Sequence, residues 1–153
     1  MNIEVTVLKA EPAVAIAKAA VTMEEISAVA TEGLEKIVHY LNQQGVQIAG
    51  IPYLAYKNGN ADFSRFDVEM GIPVEKEIPV SSGFFMSQTY EGKAVCGIHQ
   101  GAYTDIEPVY MALMEYMEKN KLESTGVYYD YYVNDPADTP EKELLTRVIF
   151  PIK

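Results

Sequence analysis

Gly50-Ile51-Pro52-Tyr53-Leu54-Ala55-Tyr56-Lys57-Asn58 aligns with Gly126-Val127-Tyr128-Tyr129-Asp130-Tyr131-Tyr132-Val133-Asn134. A glycine, two tyrosines and an asparagine recur at one spacing. Downstream, Val68-Glu69-Met70-Gly71-Ile72-Pro73 lines up with Thr146-Arg147-Val148-Ile149-Phe150-Pro151. Upstream, Ala10-Glu11-Pro12-Ala13-Val14 echoes Tyr90-Glu91-Gly92-Lys93-Ala94-Val95, with one extra residue in the second copy. The matches keep their order, which points to an internal duplication. The expected organisation is one domain over 1–153, with repeat halves of about 1–78 and 79–153.

Working outward from the repeat, each half reads as strand, strand, helix, strand, strand. Ile3, Val5 and Val7 alternate with polar residues at the strand period. The apolar run Ala13 to Ala20 suits a buried second strand. A helix is expected over about Ala28 to Gln44, with Leu34, Ile37, Val38 and Leu41 on one face and Gly45 as its stop. Strands follow at Tyr53 to Lys57 and Phe66 to Ile72, around an Asn58-Gly59-Asn60 turn. The linker Pro73 to Gly83 holds two prolines, Pro73 and Pro79, and a Ser81-Ser82-Gly83 end, so it should be extended. In the second half, Thr104 and Glu107 have capping-box spacing, and Pro108 fits a first helical turn. Ile106, Val109, Tyr110, Leu113 and Met117 form the apolar stripe. After Gly126 come a strand over Tyr128 to Val133, an Asn134-Asp135-Pro136 turn and a last strand over Leu144 to Phe150. The fold class is therefore α+β: a duplicated ββαββ module, an antiparallel sheet with helices on one face. The second face then needs a role as a solvated surface, a partner surface or a groove wall.

Apolar residues make up 48% of the chain and charged residues 22%, a globular balance. No apolar run reaches membrane-helix length, and the N-terminal stretch lacks the pattern of a secretory signal, so a cytoplasmic location is expected. Twelve basic residues face 22 acidic ones, for a formal net charge of -10, which opposes direct binding to nucleic acid. The single cysteine, Cys96, excludes an internal disulfide, and its apolar flanks suggest an inert strand thiol. His39 and His99 have no metal-ligand spacing, and no nucleophile elbow or phosphate loop is present. No metal, cofactor or nucleophilic catalytic residue is expected. His99 sits at a strand-to-helix junction, where it can bond to backbone.

The chain has eleven tyrosines. Alternation sends Tyr129 and Tyr131 to one face of their strand and Tyr128 and Tyr132 to the other. Phenol rings stack on flat apolar ligands and attract cations through their faces. Glu69, in Phe66-Asp67-Val68-Glu69-Met70-Gly71-Ile72, should point away from the helices beside aromatic residues. There, partial desolvation favours pairing with a cation or a raised pKa. Arg147 stands at the matching place of the second half, so a Glu69–Arg147 contact would compete with a cationic ligand. The candidate ligand-binding residues are Glu69, Tyr53, Tyr56, Tyr129, Tyr131, Tyr132 and Arg147. Strand register decides whether Tyr56 and Tyr132, or Tyr53, Tyr129 and Tyr131, line the groove.

The His99-Gln100-Gly101-Ala102-Tyr103 junction, Tyr132-Val133-Asn134-Asp135-Pro136 and the terminal Thr146-Arg147-Val148-Ile149-Phe150-Pro151 resemble the GyrI-like family. That family comprises the effector-binding domains of bacterial multidrug-responsive transcription activators and the gyrase-inhibitor proteins. It favours His-x-Gly-Pro-Tyr at the junction. The resemblance implies a groove between halves that takes bulky, often cationic, aromatic compounds. It also implies that some relatives hydrolyse reactive natural products with a pocket acid and a tyrosine. The family often carries Glu where this chain has Arg147, and Glu69 substitutes for that acid only if it shares the pocket. The resemblance implies an effector module over the whole of 1–153, so no helix-turn-helix region is expected within these residues. The expected function is a stand-alone binder of bulky hydrophobic or aromatic small molecules, cationic ones among them, for sensing or sequestration. The alternatives are a hydrolase of electrophilic natural products and an inhibitor of a protein partner such as DNA gyrase.

Overall fold

The computed structural model describes residues 3–22, 24–59, 64–81, 83–135 and 138–153. The first half holds β1 (Glu4–Leu8), β2 (Pro12–Thr22), α1 (Ile26–Gln44), β3 (Tyr53–Lys57) and β4 (Arg65–Pro73). The second holds β5 (Phe85–Gln88), β6 (Gly92–Gln100), α2 (Glu107–Lys119), β7 (Tyr128–Tyr132) and β8 (Leu145–Pro151). All eight strands join one antiparallel sheet in the order β1-β6-β8-β7-β3-β4-β2-β5. The central pair, β3 and β7, is the repeated tyrosine motif meeting its own copy. Leu54 and Asp130 hold the same place in the repeat and are direct cross-strand partners, so the pseudo-two-fold axis passes between them.

Both helices pack on one face. Ile37 and Leu41 of α1 join Val14, Leu54, Val68, Met70 and Ile72. Val109, Leu113 and Met117 of α2 join Val95, Val148 and Phe150. Gly45 ends α1 in the left-handed region at φ 68, as its position predicts. Helix α2 starts later than the capping-box reading requires. Thr104 lies in a short 3-10 turn over Tyr103–Asp105, Ile106 takes the cap position without a side-chain cap bond, and Pro108 falls in the first turn. The Thr104 side chain, Asn60, Ser82 and Pro136 lie outside the described residues. Strand β2 runs past its buried part: Ala13, Val14 and Ala15 are buried, while Ala17 to Ala20 are exposed beside a bulge. Val5 and Val7 also stay exposed, because β1 is an edge strand at the rim of the sheet.

The second face is not open, which corrects the sequence expectation. Five strands lie between β1 and β2 in the sheet, a flat-sheet distance of about 29 Å. The link from Leu8 to Pro12 reaches at most about 14 Å. The link from Gln88 to Gly92 faces the same conflict. The sheet must therefore curl until its two ends meet. They are joined where Thr89 N–H donates to the Glu11 carbonyl (2.9 Å) and Glu11 N–H donates to Thr89 Oγ1 (2.9 Å). The inside of the curl is filled by Ala13, Tyr53, Ala55, Ala94, Cys96, Tyr131 and Ile149, with Leu8, Tyr90 and Tyr129 against them. Small alanines from several strands make room for tyrosine rings, as close packing demands. Among the described residues, no helix is long and apolar enough to cross a membrane.

Gly71 tests this packing. A Cβ there would overlap the ring of Tyr53, which is fully buried and held on all sides. Gly71→Ala should lower unfolding stability by about 1–3 kcal/mol in urea titrations. An unchanged midpoint would contradict the filled inner face.

Candidate functional site

A cavity of about 150 Å³ opens on the helix-covered face where the two halves meet. Its floor is Tyr56 from β3 with Asp130 and Tyr132 from β7. Its walls are the start of α1 (Ile26, Ser27, Ala30) and the start of the second helical segment (Tyr103, Ile106, Tyr110), with Glu24 at the rim. Alternation along β7 places Asp130 on the same face as Tyr128 and Tyr132. The two-fold arrangement brings both helix N-termini, the positive ends of their dipoles, to this one cavity.

Asp130 is 3% exposed. Its Oδ2 accepts hydrogen bonds from the Tyr56 hydroxyl at 2.5 Å and the Tyr110 hydroxyl at 2.7 Å, and Oδ1 lies 2.9 Å from the same Tyr110 oxygen. Burial pushes its pKa up to about 6, against the lowering pull of the two tyrosine bonds and of His99. The hydroxyls of Tyr56 and Tyr110 are themselves driven well above their usual range, first by burial and then by the Asp130 charge. No lysine or arginine forms an ion pair with Asp130 among the described residues. A buried carboxylate bonded by hydroxyls, with His99 as its nearby charge and no lysine or arginine beside it, has had most of its hydration removed and little of it replaced. His99 Nε2 lies 2.7 Å from the Ala102 carbonyl, the backbone role its junction position suggests.

The structure divides the sequence-predicted residues between two faces. Tyr56 and Tyr132 line the cavity. Tyr53, Tyr129, Tyr131, Glu69 and Arg147 lie on the opposite face, one pleat away, inside the curl. Glu69 is 8% exposed and satisfied internally: Tyr53 hydroxyl (2.5 Å), Ser87 hydroxyl (2.7 Å) and Lys57 ammonium (3.0 Å) all donate to it. Burial pushes its pKa up, but those hydrogen bonds and the Lys57 charge outweigh burial, and the net shift is downward. Of the two alternatives for Glu69, pairing with a cation is the one the structure shows, with Lys57 as the cation, and a raised pKa is not. Arg147 does not reach Glu69, since β7 and β3 lie between their strands; it sits beside Tyr131 and Cys96. Tyr129 has its pKa raised to about 12, mainly by burial.

Sequence reasoning missed Asp130, Tyr110 and Tyr103. Asp130 carried a usable signal. It is the lone acid in a strand otherwise made of tyrosine, and alternation sends it toward the helices, where an unpaired acid needs a purpose. Tyr110 read only as part of an apolar stripe, because a helix pattern shows the ring and not the hydroxyl's target.

The shift of Asp130 has a signed consequence. Its folded pKa of about 6 exceeds the ordinary 3.8, so the folded chain holds the proton more tightly. The stability this contributes is full below about pH 4 and is lost as pH rises through about 6, on the order of 3 kcal/mol in all. In urea titrations, the stability of the wild type relative to Asp130→Asn should fall across that interval and flatten above it. A difference that does not vary with pH would contradict a raised Asp130.

The fold recurs in proteins of very different sequence. EcmrR in its DNA complex superposes with a TM-score of 0.85 at 15% identity, covering 99% of this chain and 57% of that one. The chain thus spans little more than half the length of that protein. The EcmrR C-terminal domain alone gives 0.80 at 16% identity, covering 99% and 97%. SAV2435 bound to tetraphenylphosphonium gives 0.66 at 14%, covering 100% and 94%. A hydrolase encoded by lin2189 from Listeria innocua gives 0.67 at 14%, covering 99% and 91%. No curated protein matches the chain in sequence. The model of the GyrI-like small molecule binding domain matches residues 1–153, and the chain belongs to that family.

Proposed function

We propose that the domain binds compact aromatic cations in the cavity between its halves, for sensing or sequestration, with Asp130 as the anchoring charge. The observation that carries this reading is a buried carboxylate that has two hydroxyl partners and, among the described residues, no lysine or arginine ion pair, only the more distant pull of His99. Glu69 supplies the contrast, because the chain provides that acid with its own lysine. A ligand cation completes at Asp130 what Lys57 completes at Glu69. Tyr56, Tyr103, Tyr110 and Tyr132 add ring surface for stacking and cation–π attraction. A cavity near 150 Å³ admits about one aromatic ring, and the rim at Glu24 leaves it open for larger ligands. That SAV2435 is bound to tetraphenylphosphonium supports a lipophilic cation as the ligand class here.

Phenyltrimethylammonium and tert-butylbenzene have the same shape and differ in charge, so they separate the electrostatic part of binding from the apolar part. Asp130→Asn should weaken the cation about ten-fold or more, worth about 1.4 kcal/mol, and the neutral probe about two-fold or less. Affinity for the cation should rise with pH through about 6, as Asp130 ionises. Equal losses for the two probes would sink the charge role. Glu69→Gln should lower stability through its buried bonds and leave the cation's affinity unchanged. A selective loss of the cation in that variant would move the site to the other face.

The same acid and its tyrosines also support hydrolysis of a strained electrophile, since a carboxyl group titrating near pH 6 is suited to proton transfer. Recovery of only unmodified compound by mass spectrometry, after incubation with reactive epoxides and cyclopropanes, would remove that second reading.

A further inference from the structure

Among the described residues, the two buried acids of the sheet are held in the same way, up to one bond. At Glu69, Oε2 accepts the Tyr53 hydroxyl at 2.5 Å and the Ser87 hydroxyl at 2.7 Å. Its other oxygen, Oε1, accepts an N–H of the Lys57 ammonium at 3.0 Å. At Asp130, Oδ2 accepts the Tyr56 hydroxyl at 2.5 Å and the Tyr110 hydroxyl at 2.7 Å. Oδ1 has the Tyr110 oxygen at 2.9 Å and no other donor among the described residues. A hydroxyl carries one proton, and the shorter contact takes it. Oδ1 is left with at most a share of a bond already made to Oδ2.

The surroundings of Asp130 do not supply the missing bond. Its cross-strand neighbours, Leu54 and Val148, are apolar. His99 turns its Nε2 to the Ala102 carbonyl at 2.7 Å and acts on Asp130 through its charge. Asp130 lines the cavity, and both tyrosine hydroxyls are drawn to its Oδ2. The oxygen left for a ligand is therefore Oδ1.

We infer that the cavity selects ammonium ions that keep an N–H, the protonated arylalkylamines, over quaternary ammonium compounds and amidines of similar size. The inference rests on the reading of this cavity as a cation site and adds the kind of cation. Lys57 on Glu69 is the internal template: two hydroxyls on one oxygen, an ammonium N–H on the other. A quaternary nitrogen presents only carbon, so it answers the charge and leaves Oδ1 without a donor. A buried acceptor left unpaired keeps its desolvation penalty. An amidine presents two parallel N–H groups, which suit a carboxylate with both oxygens open. At Asp130 one oxygen already holds two hydroxyls, so that fork finds a single seat. A ring with a one-carbon link to its nitrogen suits a cavity of about 150 Å³.

The test is a methylation series, titrated into the whole chain by calorimetry at neutral pH. Benzylammonium and its N-methyl and N,N-dimethyl forms keep an N–H, and benzyltrimethylammonium has none. Affinity should stay within about two-fold across the first three and fall about ten-fold at the last methyl. Benzamidinium should bind about three-fold or more weaker than benzylammonium. In Asp130→Asn the step at the last methyl should shrink to about two-fold or less. Tyr110→Phe frees a lone pair of Oδ2, so benzamidinium should gain about three-fold on benzylammonium there. The methylation series reads the wild type, independent of how any variant folds. A loss spread evenly over the three methylations, or none at all, would overturn the N–H requirement. If Asp130→Asn then still weakens every cation, the cation site stands without it. Affinities that Asp130→Asn leaves unchanged would overturn both. An unchanged ratio of benzamidinium to benzylammonium in Tyr110→Phe would overturn the exclusion of amidines.

Discussion

One carboxylate ties the two halves together. Asp130 receives a hydroxyl from Tyr56, in the first half, and another from Tyr110, in the second. Its position on the pseudo-two-fold axis, across from Leu54, makes the arrangement asymmetric at the one point where symmetry would place two identical groups. Two leucines there would extend the apolar core. Two aspartates would repel each other in a low-dielectric space. One of each leaves a single charge in an otherwise apolar and aromatic hollow, and hydrogen bonds to that charge are about twice as strong as neutral ones.

The curl of the sheet explains why this hollow is on the helix side. Short links join strands that lie six places apart in the sheet order, so the sheet's ends are drawn together. The inner face then becomes a core of its own, dense with tyrosine and alanine. Glu69 lies in that core and is satisfied by Lys57, Ser87 and Tyr53. On the outer side, the helices approach the sheet from either flank and leave a gap over β3 and β7. The same repeated tyrosine motif thus serves two purposes. Its Tyr53 and Tyr129 positions fill the inner core, and its Tyr56 and Tyr132 positions pave the cavity floor.

The architecture was legible in the sequence because duplication, strand alternation and helix periodicity are all local patterns. The match of Gly50–Asn58 with Gly126–Asn134 located the central strand pair. The site was legible only in part. Alternation sorted the tyrosines correctly by face, yet it does not say which face is hollow. That depends on how far the sheet curls, which follows from strand order, a long-range property. Glu69 drew notice because it sits mid-strand, but its partners Lys57 and Ser87 come from other strands. Asp130 stands among four tyrosines whose rings dominate the reading of that strand, and the hydroxyl of Tyr110 reaches it only after α2 is laid over β7. The short 3-10 turn at Tyr103–Asp105 displaced the helix start for a similar reason.

The most direct measurement is the carboxyl carbon resonance of Asp130, followed by NMR as pH is varied, without and with saturating phenyltrimethylammonium. The expected midpoint is about 6 in the free chain, falling toward the ordinary aspartate value of 3.8 when the cation is bound. A free midpoint already near 3.8, or one that the cation leaves unmoved, would contradict Asp130 as the anchor of the site.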